Sequence, residues 1–213
     1  MEELDLLKKS WNKKENFPEV TEEKIYGMLH KNSSSTIKWI FLISIIEFLF
    51  GLLLNVGMQF TKSHEDTIDL LKKAGVFTFY QIGSGIIWVV ALYFIYRFYT
   101  IYKKVSTTDS VKKLMETIIN ARKTVRNYII FNLSAGAVFL FTVYSFVLNQ
   151  MLESISIEQH KEITTGFYLG AFAAMIIVTA VFIGLFWLFY RLIYGFLLKR
   201  LKKNYNELEK IDY

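Results

Sequence analysis

The chain has 213 residues, 53% of them hydrophobic and 17% aromatic, with a formal charge of +6 and no cysteine. Its apolar residues gather into long runs instead of spreading at the period of an amphipathic helix or strand, which argues against an ordinary water-soluble domain. The lack of cysteine excludes a disulfide framework and a thiolate metal site, and the basic residues sit at the ends of the apolar runs, where membrane orientation explains them better than direct nucleic-acid binding.

Residues 1–36 form an N-terminal segment divided at Phe17-Pro18, the one proline. Leu4, Leu7 and Trp11 share a helix face before the break. After it, Thr21 is placed to cap a second short helix holding Ile25, Met28 and Leu29. Helices this short cannot bury a core by themselves, so they need the membrane surface, other helices or a partner. "KNSSST" (Lys31–Thr36) is expected to join them to the first apolar run.

A hydrocarbon core of about 30 Å needs about 20 helical residues, and four stretches meet that length: 37–60, 76–96, 128–152 and 166–190. The first contains "IFLISIIEFLFGLLLNV" (Ile40–Val56), whose one charge is Glu47. An acid at such depth is costly and marks a site by default. It is expected to bond across helices to a hydroxyl such as Ser84, Thr142 or Thr179, with a proton or cation relay as the functional alternative. Asn55 and Gln81 lie near the outer face and are expected to pair; Asn132 lies near the inner face. Residues 61–75 read as an outer loop with His64.

The second run holds Gly83 and Gly85 in "GSG" and ends at Tyr96-Arg97. Residues 97–127 follow as a connector in which Val111, Leu114, Met115, Ile118, Arg122 and Val125 keep helical spacing. Thr107, Thr108 and Asp109 are expected to start that helix. Its apolar stripe either packs on neighbouring helices or docks a partner or anionic lipid. The third run carries Gly136 in "SAGA". A second outer loop contains His160, and the spacing of His64 and His160 matches no metal motif. In the fourth run Gly166, Gly170 and Ala174 align on one face, the kind of stripe that lets helices approach within one chain or in a homodimer. Arg191 closes it, and residues 191–213 form a charged tail. Arg97 and Arg191 are candidate interface anchors or lipid-phosphate contacts.

Lys and Arg number six in residues 1–36, eight in 97–127 and six in 191–213; with Lys38 these are 21 of the 25. That bias predicts both termini in the cytoplasm, with Trp39, Tyr96, Tyr99, Tyr128 and Tyr190 at the interfaces. No cleavable signal peptide is expected, since apolar sequence begins only after about 36 residues. An offset of 94 superposes Tyr96-Arg97 on Tyr190-Arg191 and Asn55 on Asn149, as two helical hairpins in tandem would. No Gly-rich phosphate loop, HExxH or nucleophile elbow occurs. A non-enzymatic protein without cofactor, metal or catalytic residues is expected.

The runs "LDLLKKSWNKKENFP" (Leu4–Pro18) and "YGMLHKNSSSTIKWIFLISIIEFLF" (Tyr26–Phe50) resemble a family of short four-span bacterial inner-membrane proteins. Their genes often lie beside extracytoplasmic-function sigma factors, and some members carry a carotenoid-oxygenase label. The label implies several histidines converging on iron, and no histidine lies within a span here. The genomic association implies an anti-sigma-like role, with a sigma factor held at the membrane. The expected fold is an all-α bundle of four transmembrane helices in two tandem hairpins with short amphipathic cytoplasmic helices. Its expected partners are the lipid bilayer, a cytoplasmic protein and a second copy of the chain. The expected function is partner binding through residues 1–36, 103–127 and 197–213, the alternative a small transporter or channel using Glu47.

Overall fold

The structure, a computed structural model, describes residues 21–108, 110–159 and 164–210. Among these the chain is all helical: α1 (Glu22–Gln59), α2 (Lys62–Lys73), α3 (Phe77–Ser106), α4 (Val111–Gln159) and α5 (Thr165–Glu209). Leu4, Leu7, Trp11, Phe17-Pro18, Asp109 and His160 lie outside the described residues.

The Thr21 hydroxyl accepts from the Lys24 amide at 3.4 Å, and Glu22 and Glu23 fill the first turn, which suits the positive end of the helix. From there α1 runs 38 residues without a break, about 57 Å at about 1.5 Å per residue. The expected joiner at Lys31–Thr36 is therefore helix. Serines favour turns because their hydroxyls compete for the backbone, but here tertiary partners take them up. Thr36 bonds back to the Asn32 carbonyl, Ser33 receives the Asn204 amide at 3.0 Å, and both hydroxyl residues are buried.

The expected loop 61–75 contains α2. Glu65 in its first turn and Lys72 and Lys73 in its last complement the dipole, and Leu71 is buried beside Val76 and Val143. Gly75 ends it with φ +71°, a left-handed backbone that favours glycine. At the other connection, Thr107 and Thr108 do not open α4. Their hydroxyls turn back to the carbonyls of Lys103 and Lys104 and finish α3.

Contacts between the long helices fix their directions. Asn204 meets Ser33 and Tyr190 meets Glu47, so α5 descends as α1 rises. Tyr26 donates to the Thr108 carbonyl at 3.2 Å and Phe48 meets Trp88 edge-on, which sets α3 antiparallel to α1. Phe94 and Phe98 hold Tyr128 of α4, and Ser145 of α4 reaches Met175 of α5.

The core is unevenly placed. Its larger part occupies the basal end, where α1 begins and α5 ends, and a smaller cluster around Leu71, Val76 and Val143 lies at the other. Leu114, Ile118, Ala121, Val125 and Tyr128 of α4 recur at alternating steps of four and three, as do Tyr190, Tyr194, Leu197, Leu201, Asn204 and Leu208 of α5, and all are buried. That is the spacing of a helix seam. The stripe expected on residues 103–127 is thus spent inside the molecule. Above it the helices expose large apolar side chains on all sides, among them Phe50, Leu53, Val89, Val138, Leu169 and Leu185. An apolar surface that extensive marks contact with something other than water. Four helices, α1, α3, α4 and α5, are long and apolar enough to cross a membrane.

Candidate functional site

Glu47 lies where the packed basal core gives way to the apolar half. It is on α1, eight residues beyond Trp39, about 12 Å along the helix axis. None of the three hydroxyls expected to meet it does so. Ser84 bonds the carbonyl of Gln81 within its own helix, and the buried Thr179 hydroxyl finds no hydrogen-bond partner among the described residues. The partners are phenols of α5 instead. The Tyr190 hydroxyl donates to Glu47 Oε1 and the Tyr194 hydroxyl to Oε2 at 3.4 Å. The side chain of Tyr128 stands beside the same carboxyl group, and Asn132 beside Tyr190.

Helix geometry assembles this group. Tyr190 and Tyr194 are one turn apart on the inward face of α5, and their rings lie 5.8 Å apart. Tyr128 of α4 meets each edge-on at 6.0 Å. Tyr128 and Tyr190, expected at an interface, are therefore buried core residues. An aromatic residue at the end of an apolar run reveals its depth but not the direction of its ring. Trp39, Tyr96 and Tyr99 do point outward.

Two spaces adjoin Glu47. A cavity of about 160 Å³ lies among α1, α3 and α4, lined by Ser44, Glu47, Trp88, Tyr128 and Asn132. On the other side, a groove of about 610 Å³ between α1 and α5 is lined by Ile43, Ile46, Phe50, Phe182, Leu185, Phe186, Phe189, Ile193 and, as its one polar side chain among the described residues, Glu47. The acid thus bridges a small polar-edged cavity and a large apolar groove, and it is not fully buried. No ion pair reaches it among the described residues.

The remaining expected residues are dispersed. Asn55 and Gln81 are exposed and do not pair; Asn55 accepts instead from Gln59 at 3.4 Å on its own helix. Arg97 is half-buried, and Arg191 lies over the Trp187 ring at 4.9 Å. Of the small residues, Gly83 permits a close approach: a Cβ there would come within 2.6 Å of the Phe139 ring. Gly85, Gly136, Gly166 and Gly170 face open space, and Ala174 is exposed. Four-residue spacing identifies a helix face, not what covers it. His30 is structural: its Nε2 lies 2.7 Å from the Val105 carbonyl and ties α1 to α3.

Charged grooves occupy the basal end. One of about 420 Å³ is lined by Arg122, Lys123 and Arg126 with Ile119, Ile129, Ile130 and Leu198; another of about 750 Å³ is lined by Lys199, Arg200, Lys202, Lys203 and Lys210 with Glu207. Among the described residues, no group of three or more His, Asp or Glu side chains is placed to hold a metal ion.

A family model described as a domain of unknown function (DUF8845) matches residues 23–213. No curated protein matches the chain. No solved structure matches it either.

Proposed function

Because the chain belongs to the DUF8845 family over almost its whole length, we propose for it a role suited to the entire bundle: a non-enzymatic, multi-pass protein of the bacterial inner membrane, with both termini cytoplasmic, that holds a cytoplasmic protein on its basal end. The observation that carries this reading is the contrast between the two ends. Spanning a bilayer requires only the apolar half, yet the best-packed core lies below it, in helices that continue past Trp39 toward the termini. That core makes a rigid platform, and its outside is cationic along α4 and α5. The cation bias toward the terminal side supports the cytoplasmic orientation.

The partner surface in this reading is not the apolar stripe of residues 103–127, which is buried, but the basic exterior, and an acidic protein face complements it. Sequestration of a sigma factor is the specific version. The test is affinity capture from gently solubilised membranes, with mass spectrometry of the co-purified proteins. The wild-type chain retains a specific protein, and a variant carrying Lys199→Glu, Lys202→Glu and Lys203→Glu loses it. Equal recovery from both chains removes the reading.

A transporter or channel role is the second reading. It is favoured by the position of Glu47 between a cavity and a groove.

A further inference from the structure

We propose that the basic groove between α4 and α5 is a site for one anionic phospholipid, whose phosphate is held by Arg122, Lys123 and Arg126 and whose acyl chains lie along Ile129 and Ile130. Its lining defines that ligand. The groove, of about 420 Å³, presents three cations and no acid among the described residues. None of the three has a side-chain hydrogen bond or ion pair among those residues. A guanidinium offers paired N–H donors that match two phosphate oxygens, and a lysine adds a point charge. The rest of the lining, Ile119, Ile129, Ile130 and Leu198, is aliphatic. One turn along α4 from Arg126, Ile129 and Ile130 lead into the apolar half, and Ile130 is exposed. Phosphate and hydrocarbon are therefore accommodated side by side, in the order in which a lipid presents them.

The depth of the groove agrees. Ser33 of α1 meets Asn204 of α5, and six residues along each antiparallel helix bring Trp39 level with Leu198, which lines the groove. His30 of α1 meets Val105 of α3, and nine residues along each bring Trp39 level with Tyr96. Trp39 and Tyr96 both point outward, and exposed Trp and Tyr rings settle at the headgroup layer of a bilayer. The groove thus lies at the level of lipid phosphates when the four apolar helices stand in a membrane, and basic pockets between helices at that level suit anionic headgroups. A free phosphate ion would use the cations and leave the isoleucines uncovered. An acidic protein would have to displace lipid to reach them. The inference goes beyond the partner reading and does not depend on it, since the lysines substituted there line a separate groove on α5.

The test uses the full chain in neutral maltoside micelles, titrated with phosphatidylglycerol or phosphatidylcholine, with bound lipid counted by native mass spectrometry. Each basic residue at the interface is worth about fivefold in affinity. Phosphatidylglycerol is therefore expected to fill one saturable site at least about tenfold more tightly than phosphatidylcholine. Lys123→Gln with Arg126→Gln, both at exposed positions, removes most of that preference. Lys112→Gln with Lys113→Gln, the same change of charge lower on α4, leaves it intact. Glycerophosphoglycerol, the headgroup without acyl chains, competes poorly. Equal binding of the two lipids to the wild-type chain overturns the proposal whether or not the variants fold. So does an equal loss in both double variants, which would mark a diffuse basic surface, or full competition by the bare headgroup, which would mark a site for a free anion. Loss of a captured cytoplasmic protein in Lys123→Gln with Arg126→Gln, with the lipid preference unchanged, gives the groove to a protein and overturns it as well.

Discussion

Replacing Tyr190 with Phe removes one oxygen from the contact between α1 and α5 and leaves the ring in place. The hydroxyl donates to Glu47, and the residue is only 5% exposed, so water has little access to replace it. Two magnitudes bear on the cost. Hydrogen bonds to charged groups contribute about 1.5–3 kcal/mol in mutational series. Polar contacts between membrane helices average about 0.6 kcal/mol and reach about 1.7, because an unfolded chain in lipid finds other partners. Tyr194 already spends its hydroxyl on the second oxygen at 3.4 Å and is too distant to compensate. The expected loss is therefore at the upper part of the membrane range, about 1–2 kcal/mol. Reversible unfolding in mixed micelles, followed by tryptophan fluorescence, measures it. A double-mutant cycle with Glu47→Ala separates the contact from general packing, with a coupling energy of about 1 kcal/mol expected. A Tyr190→Phe protein as stable as wild type, or strictly additive single substitutions, would show that the phenol–carboxyl pair does not tie α1 to α5.

Gly83→Ala is expected to cost about 1–3 kcal/mol, since its Cβ would meet Phe139 at 2.6 Å; adding Phe139→Leu should recover most of that loss in the same unfolding assay. Gly170→Ala faces open space and should be neutral or stabilising by up to about 1 kcal/mol. Leu201→Ala in the basal seam should cost about 2–5 kcal/mol, whereas Leu185→Ala, 60% exposed above the seam on the same helix, should change stability little; equal effects would refute the uneven core. Gly75→Ala must place a side chain at φ +71° and should cost about 1–2 kcal/mol, read from the same unfolding transitions.

The four apolar helices are legible in the sequence because length and hydropathy mark them directly. Their extension below the apolar half is less visible. Lys31–Thr36 looks like a linker by composition, and only the Asn204 amide and the packing of α5 show why Ser33 and Thr36 belong in a helix. The seam from Tyr190 to Leu208 was present as a pattern of four and three steps, masked by the intervening lysines. In α2, Ile68 and Leu71 already keep helical spacing between an early acid and late lysines, a signal too short to outweigh the polar composition around it. Glu47 is conspicuous as the single charge in its run. Its partners are not, because local spacing does not identify which residues of another helix stand beside it, and tyrosines at the end of an apolar run invite an interfacial assignment. The pairing of Asn55 with Gln81 failed for the same reason: similar depth does not make two side chains face each other.

Four rods whose larger packed core lies near one extremity have the mechanics of forceps. The basal seam is the pivot, and the uninterrupted α1 and α5 are stiff prongs. Over the 25 residues of α5 from Tyr190 to Thr165, about 38 Å at about 1.5 Å per residue, a tilt of about 2° at the pivot moves the far tip by about 1.3 Å. A load applied to the water-facing handle would therefore change the lateral gap between the prongs, and pressure from surrounding lipid would be felt at the handle. Glu47 and its phenols sit just beyond the pivot, where the displacement is smallest and the grip is firmest.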